Sequence, residues 1–271
     1  MKHVWLLALA LVALAIACGG GSSSSVNTTP SAGADTLRDQ VVTAMNDLDS
    51  YYAVFATGAY TFETDFQKPN SYRSAVVAND DQTGKSTRGE TIELGDTVYA
   101  RKCRPDGSQC EAWDSAPRKE GRVGYGSYDP GWPIVALETA DDVSFSGGVL
   151  RGFVNQIRAV IENTRRLGEA AGVAPSYGCS SSSAETPPQD DCRELTYDEA
   201  LEGQEPGLSF LDEHPSRIEV EFDPDTHFID RFTITIIEED EDAGLTQPNV
   251  KTHTVTFTYS KYNDVTIEAP E

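Results

Sequence analysis

The last third of the chain alternates with a period of two, and this alternation limits its fold more than any other feature. Ile218, Val220 and Phe222 are interleaved with Arg217, Glu219 and Glu221; "DPDT" (Asp223 to Thr226) interrupts, and Phe228 to Ile237 resumes. Val255, Phe257 and Tyr259 follow, and Val265 and Ile267 are expected to close the set. Successive side chains of a strand point to opposite faces, so this spacing buries one face of an antiparallel sheet. The same period occurs earlier. Tyr60, Phe62 and Phe66 alternate with Thr61, Glu63 and Asp65 until Lys68-Pro69-Asn70 breaks the run. Tyr72 to Ala78 and Thr91 to Lys102 continue it, the latter with Ile92, Leu94 and Val98 on one side and a turn inside "ELGDTVY" (Glu93 to Tyr99).

Two stretches follow the helical period instead. Leu37, Val41, Met45 and Leu48 predict a helix over Thr36 to Tyr52, capped by Asp35 or Thr36. Val149, Phe153, Ile157, Val160, Ile161 and Thr164 predict a longer amphipathic helix over Gly148 to Leu167, packed on the sheet. Glycine-rich residues 121–131 and "PGWP" (Pro130 to Pro133) read as an irregular connection.

The chain begins with Met1-Lys2-His3, and Val4 to Ala17 then contains nothing polar except the Trp5 indole. A spanning helix needs about 20 apolar residues, whereas a charged start and a shorter apolar core ending in small residues describe a secretory signal peptide. Ala15-Ile16-Ala17-Cys18 resembles the bacterial lipobox, in which the cysteine is acylated and becomes the mature N-terminus. The expected organisation is a signal peptide over 1–17, acylated Cys18 with a Gly/Ser linker over 18–34, and one domain over 35–271.

Cysteine counting agrees. Acylation takes Cys18 out of five and leaves Cys103, Cys110, Cys179 and Cys192 as two local pairs. Asp106-Gly107 as a two-residue turn sets Cys103 opposite Cys110, whereas Pro105 as first turn residue with Gly107 in a bulge would oppose Cys103 to Gln109. The disulfide register is the expectation. Cys179 and Cys192 would pin the loop "SSSSAETPPQDD". Neither pair has CxxC spacing or a neighbouring histidine, so no metal is expected.

The 21 Lys+Arg against 44 Asp+Glu give −23, and loss of Lys2 with the signal gives −24. Phosphates and anionic headgroups repel such a chain, so nucleic acid is not an expected partner and membrane attachment falls to acyl chains on Cys18. "EEDEDAG" (Glu238 to Gly244) lacks the spacing of a calcium loop and reads as a solvated turn. His214, His227 and His253 form no metal motif, and Ser127 in "GYGSYDPG" lacks the G-x-S-x-G frame. No cofactor and no catalytic activity are expected.

Taken in order, the lipobox, the helix "LRDQVVTAMNDLDSY", the strands "KPNSYRSAVV" and "GETIELGDTVYAR" ending near Trp113, and the closing "IEVEFDPDTHFIDRFTI" and "TFTYSKYNDVTIEAPE" resemble the LolA/LolB-like lipoprotein superfamily, particularly its LppX/LprG-like branch. The resemblance covers roughly residues 36–113 and 216–271. It implies an α+β fold: a strongly curved antiparallel sheet, an unclosed barrel, whose concave face is covered by helices and encloses an apolar cavity. Tyr60, Phe62, Ile92, Leu94, Val98, Phe232, Ile234, Ile236, Val255 and Phe257 are then the candidate cavity residues. Residues 115–215 and both cysteine pairs depart from the pattern. The implied function is an exported lipoprotein, anchored on the outer side of the cytoplasmic membrane or at the cell surface, that binds or transfers a lipid or other amphiphile. The alternative is an envelope interaction or sensing module with a filled core and a protein partner.

Overall fold

The computed structural model describes residues 32–56, 60–69, 71–80, 85–117, 129–171, 179–180, 193–194, 199, 202, 211–239 and 250–270. The lipobox, the linker up to residue 31, the segment around Ser127, Cys192 and the acidic loop beyond Glu239 lie outside them. No helix among the described residues is long and apolar enough to cross a membrane.

Helix α1 (Ala32–Asp47) precedes six strands, β1 (Ser50–Ala56), β2 (Tyr60–Gln67), β3 (Ser71–Asp80), β4 (Lys85–Leu94), β5 (Thr97–Cys103) and β6 (Asp114–Pro117). Next come α2 (Trp132–Glu138), the hairpin β7 (Asp141–Ser146) and β8 (Val149–Val154), and α3 (Gln156–Ala171). A two-residue pair, β9 (Cys179–Ser180) and β10 (Arg193–Glu194), stands apart from the main sheet. Strands β11 (Ser216–Phe222), β12 (Ile229–Glu239) and β13 (Val250–Ser260) end the fold. Eleven strands form one antiparallel sheet in the order β6-β5-β4-β3-β2-β1-β13-β12-β11-β8-β7. The two end strands do not pair, so the architecture is α+β with a curved, unclosed sheet.

Four expected elements differ. The first helix stops at Asp47, because Tyr51, Ala53 and Phe55 are buried alternately and the chain enters β1 on a period of two. The second expected helix divides. Gly147 and Gly148, both at positive φ (60° and 79°), turn the β7–β8 hairpin, and Leu150, Gly152 and Val154 are its buried face. Asn155 then caps α3, its Oδ1 accepting the Arg158 N–H at 3.1 Å. The "PGWP" connection contains α2, with Pro133 in its first turn and Trp132 to Leu137 all buried. The closing residues Val265 and Ile267 are not a strand; they are fastened to the sheet by their N–H groups, bonded to Ser50 Oγ (3.1 Å) and Gln67 Oε1 (2.8 Å).

The disulfide Cys103–Cys110 is present, but the turn that produces it is not the two-residue one. Gly107 N–H donates to Arg104 O and Arg104 N–H to Ser108 O, with Pro105 as first turn residue and Gly107 at φ 78°. Gln109 at φ 49° then absorbs one more residue, so that Glu111 N–H bonds Lys102 O and the sulfurs meet. Glu90 lies beside them with its ligand atom within 4.8 Å. Sulfurs bonded to each other have no thiolate to offer a metal.

Candidate functional site

One face of the sheet, the inner face, carries the core. Cross-strand pairing aligns a single row of side chains across it: Phe145, Leu150, Val220, Phe232, Phe257, Phe55, Phe62, Val76, Gly89 and Lys102, from β7 to β5. Burial along this row is uneven. Leu150, Val220, Phe232, Phe257 and Phe55 are buried, and Trp132 of α2 closes over Phe232 and Phe257 with ring centroids 6.0 and 5.9 Å away. Phe62, Val76 and Gly89 are only half-buried and Lys102 is exposed. Stacked rings carry the apolar surface across the boundary: Phe257–Phe55 at 4.7 Å, Phe55–Phe62 at 5.5 Å and Phe62–Tyr60 at 6.1 Å. Among the described residues, no atom lies within 4 Å of where a side chain on Gly89 would begin, so they leave space over this end of the row.

Eight of the ten candidate cavity residues share this face: Tyr60, Phe62, Val98, Phe232, Ile234, Ile236, Val255 and Phe257. Phe232, Ile234, Ile236, Val255 and Phe257 are buried, and Tyr60, Phe62 and Val98 are half-buried. Ile92 and Leu94 point the other way. The β4–β5 turn is Gly95-Asp96, which pairs Leu94 with Thr97 and Glu93 with Val98; Val98 therefore shares a face with Glu93, and Ile92 and Leu94 lie opposite.

The head of α2 is fixed to the inner face by polar groups that sequence reading did not single out. Asp129 Oδ1 accepts the Gly131 N–H at 2.6 Å, and Tyr259 Oη of β13 donates to Pro130 O at 2.7 Å. Asp129 is 1% exposed. Burial pushes its carboxyl up to about 7, against the lowering effect of the Gly131 N–H, and the Glu93 charge adds to the rise. Burial, then the nearness of Asp129, also pushes the Tyr51 hydroxyl well up.

The outer face of β1 to β5 holds a cleft of about 840 Å³, walled by residues 111–113 after the disulfide hairpin and by 268–270 at the C-terminus. Buried Ala75 and Ile92 form its apolar floor. Around them Glu90 bridges two guanidiniums, with Arg88 Nε at 2.9 Å and Arg101 Nη2 at 2.6 Å. Burial works to raise the Glu90 carboxyl, but hydrogen bonds from Arg101 and Arg88 outweigh it and hold it below the usual range. Arg88 also reaches Glu63 at 3.4 Å, and Arg101 lies 4.2 Å over the Trp113 ring. This is a polar site of fixed charge, and no local sequence signal marks it because its side chains come from five strands and two distant segments.

The chain is similar to solved mycobacterial lipoproteins. One is lipoprotein LppX of Mycobacterium tuberculosis, at 12% identity over 87% of this chain and 97% of that one, TM-score 0.36. Another is LprF of Mycobacterium bovis, at 13% identity over 89% of this chain and 99% of that one, TM-score 0.43. They lie in the LppX/LprG group that the sequence resembles. No family model matches the chain, and no curated protein matches it.

Proposed function

We propose that this is an exported lipoprotein, anchored by acyl chains on Cys18, that binds a lipid or other amphiphile along the inner face of β2 to β4. The observation that supports this reading is the row of inner-face residues that passes from buried (Phe232, Phe257, Phe55) to half-buried (Phe62, Val76) and then to open space over Gly89. An acyl chain laid on that stretch continues the apolar core, and its burial contributes about 25 cal/mol per Å² removed from water. Anchoring adds about 0.8 kcal/mol per buried CH₂ at Cys18 and holds the domain beside the membrane from which it would take its ligand. A second reading, an envelope interaction module with a filled core, is favoured by the close packing of Trp132, Phe232 and Phe257 and concerns the half of the sheet beyond β1.

Native mass spectrometry of the full chain in detergent, with organic extraction of what it carries, tests the proposal. We expect a stoichiometric lipid adduct, reduced at least tenfold in Gly89→Leu. Its Cβ meets nothing among the described residues at a position without positive φ, so the variant is expected to stay folded, which its circular dichroism spectrum checks. The Cys18→Ser variant is expected to lack the acyl mass on residue 18, read by mass spectrometry of its N-terminal peptide. A clean apo mass, or an adduct indifferent to Gly89→Leu, would leave the filled-core module as the better reading.

A further inference from the structure

We propose that the outer cleft binds a neutral glycan, a short chain of hexose units held by hydroxyl contacts. The cleft is on the face of the sheet opposite the proposed acyl groove, so the two proposals stand or fall separately. Its size, about 840 Å³, is within the roughly 300–1,000 Å³ of small-molecule sites.

The chemistry selects the class of ligand. A sugar ring has apolar C–H faces and a polar rim of hydroxyls, each both donor and acceptor. The cleft presents the complement: Ala75 and Ile92 on the floor, the Trp113 ring at one wall, and carboxylate acceptors and guanidinium donors around them. An anion would find little uncommitted positive charge. Arg88 and Arg101 are both held by Glu90, Arg88 also by Glu63, and Arg101 is further engaged with Trp113. A cation would have to compete for Asp65, Glu63 and Glu90, which already hold the guanidiniums of Arg73, Arg88 and Arg101, and would otherwise find, among the described residues, only the exposed Glu111 and Glu268 on the two separate walls. Uncharged hydroxyls use both signs without requiring either charge to be displaced.

The cleft is also preorganised. The ion pairs fix the polar heads before any ligand arrives, the Cys103–Cys110 disulfide holds one wall, and the bond from Ile267 N–H to Gln67 Oε1 holds the other. Less freedom is therefore lost on binding.

The test is saturation-transfer NMR and calorimetry on the full chain in detergent, using maltohexaose and cellohexaose as neutral probes and hexalysine and hexaglutamate as charged ones. We expect saturable binding of at least one neutral hexamer and of neither peptide. We also expect a loss of tenfold or more in Trp113→Ala, and in Ala269→Trp, which fills the cleft from an exposed position without touching the core. Binding of a peptide in place of the sugars, binding unchanged in both variants, or no binding of either sugar would overturn the proposal.

Discussion

Asp129 is the residue whose chemistry is least like that of its surroundings. It is a carboxyl enclosed beneath α2, pushed up to about 7 chiefly by burial from the ordinary value of 3.8. Its raised value fixes the sign of its contribution. Between about pH 4 and about pH 7 the folded state keeps a proton that the unfolded state gives up, so the stabilisation is complete below that window and is lost as pH rises through it. In urea titrations from pH 4 to pH 8, we expect Asp129→Asn to lack this loss. Wild-type stability relative to the variant should fall by up to about 1.4 kcal/mol per pH unit inside the window and level off above it. Parallel curves for the two proteins would mean that Asp129 is already ionised in the folded state. Gly89 matters at the same scale for a simpler reason: only a residue without a side chain leaves the space above it open.

At the scale of elements, the β5–β6 connection is cross-linked by a disulfide and by the hydrogen bonds of its turn. Its disulfide closes a separation of 7 residues, and the chain-entropy account gives such a loop about 2.5 kcal/mol. The double variant Cys103→Ser/Cys110→Ser should lose about that much in chemical denaturation, with amide exchange rising first over residues 97–117. An unchanged denaturation midpoint would show that the hydrogen bonds of the turn, among them Asp106 Oδ1 accepting the Ser108 N–H at 2.9 Å, suffice alone. The elements also show how far the sequence could be read. Strands β11, β12 and β13 were legible because each buries one face, and β2 because Tyr60, Phe62 and Phe66 alternate with Thr61, Glu63 and Asp65; β3 was legible as an apolar run, although it buries Tyr72 and Ser74 on the inner face and Ala75 on the outer. Strand β1 was hidden because only Asp49 separates Leu48, the last residue of the helical stripe, from "SYYAVF", whose Tyr52 is half-buried on the outer face and so blurs the alternation. Strand β8 was hidden because Val149 and Phe153 stand four apart and mimic a helix that begins only at Gln156. Helix α2 is apolar all round, and a short run of that kind has no period to read.

For the whole molecule, the facing of the sheet decides the account. Alternation within a strand is local, but which strands share a face depends on turn length, and that is why Ile92 and Leu94 were grouped with Val98 although two-residue Gly95-Asp96 sets them on opposite sides. The candidate groove was thus legible in its aromatic residues but not in its boundary or in Gly89. The outer cleft, assembled from β1 to β5, residues 111–113 and residues 268–270, was not legible at all. The central claim is positional: an apolar chain lies on the inner face of β2 to β4. Photo-crosslinking of the full chain in detergent with a diazirine-bearing fatty acid, followed by peptide mapping, tests it most directly. The account predicts label concentrated on inner-face residues such as Phe62 and Val76 and competed away by unlabelled lipid. Label confined to the outer cleft, or labelling that unlabelled lipid does not reduce, would contradict it.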